Sequence, residues 1–210
     1  MHREVLMELL WPGYPSSSAR NNLNVSMYGL RRALGVGGGS REYVVHRNGY
    51  YALNRDLVWS VDRAKFVQAA ETSRHAIASG QLDTAVVEAQ HAIDEYRGPL
   101  FDGDHTADWW AAEGTALADL FAQTLESLAG LHLDRGEVDA AQGTVQRLLR
   151  QDGCRESAHR LLMICYAHRN QRDLVARQYH RCVAELRQEL DISPSAETVR
   201  LFRDLTDSPS

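Results

Sequence analysis

The sequence predicts a mainly α-helical chain in two parts: two helices and a β-hairpin, followed by an array of helical hairpins. Three observations carry this expectation. Apolar residues recur at helical spacing through residues 3–34, interrupted by Pro12-Gly13 and Pro15. β-Branched and aromatic residues flank Asn48-Gly49 in "EYVVHRNGYYALN", a strong hairpin signal. From Asp62 onward the chain reads as wholly helical, with a turn motif that recurs.

The first helix is expected over Arg3–Trp11, with Val5, Leu6, Leu9 and Leu10 on one side. Ser16, Ser17 and Ser18 offer N-caps for a second helix that ends at Gly35. Its buried stripe is Leu23, Met27, Leu30 and Leu34, which fall within about 60° at 100° per residue. "GVGGGS" is a flexible loop and not a P-loop, because no Gly-Lys-Ser/Thr follows it. In the hairpin, strand alternation turns one of Tyr50 and Tyr51 inward and the other outward.

In the helical part, Gly80-Gln81-Leu82-Asp83-Thr84-Ala85 resembles Gly136-Glu137-Val138-Asp139-Ala140-Ala141, and Asn170–Val175 is a weaker third copy. Asp139 and Asp173 stand 34 residues apart, the tetratricopeptide period. Asp83 and Asp139 stand 56 apart, so about 22 residues are inserted there, including "YRGPLFDGDHTADWW". The long helix after the insertion lines up Trp110, Leu117, Phe121, Leu128 and Leu131, and Pro194 starts a last short helix through Leu205. The expected product is a compact α-solenoid.

Composition narrows the function classes. Hydrophobic residues make up 44% of the chain and charged residues 24%, the balance of a globular protein. No stretch approaches ~18 uninterrupted apolar residues, and two glutamates in "MHREVLMELLW" argue against a secretory signal. Three cysteines without tight spacing suit a reducing compartment, so the expected location is cytoplasmic, with no membrane partner. Residues 1–60 hold seven arginines against four acids, a net charge of +3; the remainder carries −8. A basic head on an acidic body fits a nucleic-acid-binding module joined to a protein-facing one.

The second helix supplies the candidate site. Opposite its apolar stripe lie Asn21, Val25, Tyr28 and Arg32, flanked by Arg20, Asn24 and Arg31. No acid occurs between Ser16 and Val36. A solvated face normally mixes charges of both signs. This one matches what a major groove requires, since Asn bonds bidentately to adenine and Arg to guanine. A solvated surface and a protein interface are the alternative readings of this face. A short helix, a turn, a longer helix and then a hairpin is also the layout of a winged helix-turn-helix, with Arg47 and Asn48 at the wing tip.

"REVLMELLWPGYPSSSARNNLNVSMYGLRRALG" followed by "YVVHRNGYYALN" resembles the winged-helix domain of the Streptomyces antibiotic regulatory protein (SARP) family. "AIDEYRGPLFDGD", "DWWAAEG", "CRESAHRLLMICYAHRNQRDLVARQYHRCVAELRQEL" and "ISPSAETVRLF" resemble the bacterial transcriptional activator domain that follows it there. The resemblance implies a partial winged helix over residues 1–58 and a tetratricopeptide-like domain over 59–210. It also implies a transcriptional activator that binds double-stranded promoter DNA and whose helical domain contacts RNA polymerase or a second protomer. In the family a small β-sheet and a first helix precede the segment that here begins at His2. That leaves Leu6, Leu10, Leu23, Met27 and Leu30 expected without a cover, at about 1.5–3 kcal/mol for each exposed side chain.

No cofactor and no enzymatic nucleophile motif is read from the sequence. Asp102, Asp104, His105 and Asp108 lack the spacing and terminal Glu of a calcium loop, and His180 with Cys182 is a lone pair without a zinc partner; His159 is a further isolated candidate. Cys165 and Cys182 are expected in the core. Trp109-Trp110 is expected to fill the gap between hairpins, with a partner anchor as the alternative. The competing functional class is a tetratricopeptide-like interaction or sensory module whose partial winged helix serves assembly.

Overall fold

The Pro12–Pro15 turn separates α1 (Arg3–Leu10) from α2 (Ser16–Leu34) in the computed structural model, which describes residues 1–35, 43–100 and 110–207. His2 caps α1, its Nδ1 accepting from the Glu4 N–H at 3.4 Å. The expected serine cap on α2 is corrected. Pro15 holds the cap position with φ −55° and ψ 137°, and Ser16–Ser18 lie inside the first turn. Proline's preset φ makes the bend without a side-chain bond, and the Pro15 carbonyl accepts from Ala19 N–H at 3.0 Å.

Met7, Ala19 and Leu23 form the buried core here, with Leu6, Trp11, Met27 and Tyr51 packed against it. The expected faces are therefore corrected in part. Val5 is 53% exposed, Leu10 38% and Leu30 41%, while Met7 and Ala19 are buried. Helix length accounts for Leu30: eight residues of α1 reach about 12 Å and nineteen of α2 about 28 Å, so the C-terminal half of α2 outruns its partner.

Strands β1 (Val44–Arg47) and β2 (Tyr50–Leu53) pair antiparallel, with Arg47 opposite Tyr50. Asn48 (φ 51°) and Gly49 (φ 80°) both take left-handed conformations, the two-residue turn whose twist suits the strands. Tyr51 packs inward and Tyr50 is 56% exposed, as alternation requires. Residues 1–3 run beside β2: the Met1 nitrogen donates to Tyr51 O at 2.7 Å, Tyr51 N to Met1 O at 2.9 Å, and Arg3 N to Gly49 O at 2.9 Å. The expected glycine-rich loop, within 36–42, lies outside the described residues.

The second unit comprises residues 61–100 with 113–207, the first 1–60 with 110–112. Its helices are α3 (Asp62–Ala78), α4 (Leu82–Glu95), α5 (Ala111–Asp134, of which residues 113–134 belong to this unit), α6 (Val138–Gln151), α7 (Glu156–His168), α8 (Arg172–Leu190) and α9 (Ala196–Asp207). The recurring motif marks the hairpin turns. Gly80 (φ 73°), Gly136 (φ 72°) and Asn170 (φ 55°) are all left-handed. In each case the next residue donates back five positions, to Ala76, His132 and Tyr166 at 2.8, 2.8 and 3.0 Å. This closing pattern admits Gly or Asn and little else. The repeated aspartates also acquire a role. Arg135 donates to Asp83 at 2.6 Å and Arg169 to Asp139, so each hairpin turn clasps the helix of the hairpin before it. Because the carboxylates are fully exposed, these clasps add little stability.

Phe66, Phe121, Leu125, Leu128, Val145, Leu148 and Leu162 build the main core, closed against the small side chains of Ala89, Ala92 and Ala141. Leu117, Phe121, Leu128 and Leu131 are buried along α5, as their spacing predicts, and so are Cys165 and Cys182. Helix α9 begins two residues after Pro194, because the Ser195 hydroxyl and the Glu156 carboxylate together cap it. Glu156 Oε2 accepts from Ser195 N and Oγ at 2.8 Å and from Thr198 Oγ1 at 2.6 Å. Asp102, Asp104, His105, Asp108 and Trp109 lie outside the described residues.

Candidate nucleic-acid interface

At 100° per residue, Asn24, Tyr28, Asn21, Arg32 and Val25 occupy one arc of about 100° on α2, away from buried Ala19 and Leu23. All five are exposed, Tyr28 at 69% and Val25 at 63%. The core explains why this face is free: Leu23 and Met27 commit the opposite side to α1 and Tyr51. No acidic residue lies on α2, and Arg31 and Arg32 occupy its last turn.

The flanking arginines differ in their surroundings. Arg31 Nη2 donates to the Val44 carbonyl at 3.1 Å, tying α2 to the first residue of β1. Arg20 borders a surface hollow that it shares with Glu4 and Glu8 of α1, so its field is partly offset. Arg47 and Asn48 are both exposed at the hairpin tip. His46 stacks on Tyr51 with ring centroids 4.3 Å apart, which stiffens the strand below that tip.

Two features of this site have no local sequence signal. One is the pairing of residues 1–3 with β2, including the His2 ring edge-on to Tyr50 at 5.0 Å. The other is the Arg31–Val44 bond, which joins positions thirteen residues apart. Both depend on where the hairpin docks, which short-range spacing does not encode.

His159 and Cys182 are accounted for by packing. His159 is 1% exposed and bonded to Gly153 O at 2.8 Å and Gln178 at 2.6 Å. Burial pushes the Cys182 thiol up to about 11. Among the described residues no group of three or more His, Cys, Asp or Glu is placed to hold a metal ion. Among them, too, no helix is long and apolar enough to cross a membrane.

Residues 61–206 match the family pattern of the bacterial transcriptional activator domain. The chain belongs to that family. Its members and the relatives below are transcriptional regulators rather than enzymes, in agreement with the SARP-type resemblance. The chain is 26% identical over 198 residues to the transcriptional regulatory protein MoaR1 of Mycobacterium tuberculosis, covering 94% of this chain and 63% of that protein. It is 24% identical over 193 residues to the transcriptional regulatory protein EmbR of Mycobacterium bovis, covering 91% and 49%. It therefore spans less than two thirds of the length of these relatives. The solved structure of Mycobacterium tuberculosis EmbR in complex with a low-affinity phosphopeptide superposes with a TM-score of 0.75 at 23% identity, over 100% of this chain and 56% of that one. A second likeness, TM-score 0.50 at 10% identity, is to the TPR2B domain of yeast Sti1 in its Hsp70 peptide complex, over 69% of this chain and 98% of that one. Both likenesses bear on the fold, a mainly helical chain with a small hairpin and a tetratricopeptide-like array.

Proposed function

We propose that this family member is a DNA-binding transcriptional regulator of the SARP type, acting in the cytoplasm as an activator. The observation that carries the reading is the acid-free outer face of α2, exposed beside a hairpin whose tip presents Arg47 and Asn48. In this reading residues 1–58 are the DNA-binding domain and α2 enters the major groove. Asn21, Asn24 and Arg32 meet base edges, while Arg20, Tyr28 and Arg31 take phosphates or neighbouring bases. Arg47 and Asn48 hold the backbone or minor groove at the wing. Residues 59–210 contact RNA polymerase or a second protomer on an adjacent promoter repeat. The family match and the names of its relatives support the regulatory half of this proposal.

A fluorescence-anisotropy titration of the full chain against promoter duplexes tests it. Sequence-selective binding that weakens steeply between 50 and 200 mM salt is expected. Equal binding to promoter and scrambled duplexes, or no binding at low salt, overturns it. In the latter case an assembly role for the first unit takes its place.

A further inference from the structure

One side chain on the outer face of α2 is explained neither by the core nor by its polar neighbours. Val25 is 63% exposed and belongs to none of the apolar clusters among the described residues. A β-branched residue in the middle of a helix has restricted χ1 freedom and lowers helix propensity relative to alanine, so helix formation does not call for it. Its surroundings are polar: Asn21 precedes it by one turn, Tyr28 follows by one, and Arg32 lies about 20° away around the axis. That setting is acid-free and cationic, which matches a polyanion rather than an apolar protein groove.

The duplex major groove offers one apolar group at base-pair resolution, the C5-methyl of thymine. We infer that Val25 reads a thymine methyl, making it a specificity-determining residue of α2. The inference rests on the DNA-binding reading above. Four residues of helix place Val25 about 6 Å along the axis from Asn21, so one docked helix lets the asparagine take an adenine edge and the valine a methyl within one or two base steps. A polar side chain at position 25 would have hydrogen-bonding alternatives at any base. The branched apolar one gains only where a methyl stands, and it leaves cytosine N4 and guanine O6 without a partner.

The probe is a duplex selected by the full wild-type chain from a random 20-base-pair library. Each thymine of the selected sequence is then replaced singly by deoxyuridine, which removes the methyl and nothing else. Wild-type affinity is expected to fall roughly three- to fivefold at one thymine position, the effect of one buried methyl-sized group. Val25→Ala is expected to bind the thymine and uracil forms of that position equally. Val25→Thr, which keeps one γ-methyl and replaces the other by a hydroxyl, is expected to retain part of the discrimination. Helical circular dichroism serves as the folding control, and exposure at position 25 makes an intact fold the expected result. If selection enriches no sequence, the DNA-binding reading fails and this inference with it. If a sequence is enriched but no thymine responds to deoxyuridine, or Val25→Ala keeps the full difference, the inference alone is overturned.

Discussion

Asn24 and Arg47 carry different parts of the proposed interface, and single substitutions separate them. Asn24 is exposed on the outer arc of α2, where the proposed docking sets its amide against a base edge, whereas Arg47 lies at the hairpin tip. Asn24→Ala is expected to reduce discrimination among duplexes by about 1–3 kcal/mol at one position. Arg47→Ala is expected to weaken all duplexes alike and lower the salt slope by about 1. Anisotropy across single-base variants of the duplex distinguishes the two; the opposite pattern would show the roles exchanged. His159 is a residue-scale matter of stability instead. Gly153 O only accepts, so Nε2 carries the proton and Nδ1 accepts from the Gln178 amide. Burial, helped by Arg181, holds this imidazole below its ordinary range against the opposing pull of the Gly153 bond, Glu185 and Glu156. A depressed pKa means the unfolded chain binds the proton before the folded one does. Stability is therefore whole above about pH 6.5 and declines as the pH falls below it. Urea midpoints at pH 7.5 and 5.5 check this, with His159→Asn expected to flatten the difference. Glu156 adds a later acid loss. Its burial would raise the carboxyl, but the bonds from Thr198 and Ser195, with Arg160 nearby, lower it. The stability it contributes is lost only below about pH 4.3.

The hairpin shows how an element can be legible in its local signal yet settled by its neighbours. Asn48-Gly49 announces the turn because both positions need positive φ, and the strands fall where the residue pattern places them. What the pattern leaves open is the strip of residues 1–3 along β2, which brings His2 Nε2 to 3.0 Å from where a Cβ on Gly49 would stand. Gly49→Ala thus meets two penalties, a left-handed backbone costing about 1–2 kcal/mol and a displaced imidazole. Chemical denaturation followed by tryptophan fluorescence is expected to register a loss of at least that size; unchanged stability would mean that the turn relaxes freely. Helix α1 is the contrary case. Its spacing suggests Val5 and Leu10 as core, but the approach of α2 and Tyr51 selects Met7. Several apolar residues of an amphipathic helix compete for one seam, and only the partner's position decides among them.

At the scale of the whole molecule, charge and repetition are legible in the sequence itself. The +3 of residues 1–60 against −8 for the rest predicts that DNA engages the first unit, since phosphate contact dominates affinity. Ultraviolet cross-linking of the full chain to its selected duplex is expected to place adducts within residues 1–60 and none within 113–207; adducts concentrated in the helical unit would refute it. The glycines, asparagine and aspartates of the recurring turn likewise announced the hairpin array, because left-handed residues and helix starts are short-range requirements. Sequence alone therefore determined the helical hairpins, the β-turn and the acid-free face of α2, each dictated within a few residues by backbone sterics, periodicity or charge. Tertiary structure decided the rest: which apolar residues of α1 and α2 are buried, that Arg31 ties a strand, and that Glu156 caps a helix some forty residues away. These depend on contacts between segments far apart in the chain, and no local pattern of side chains encodes which segments will meet.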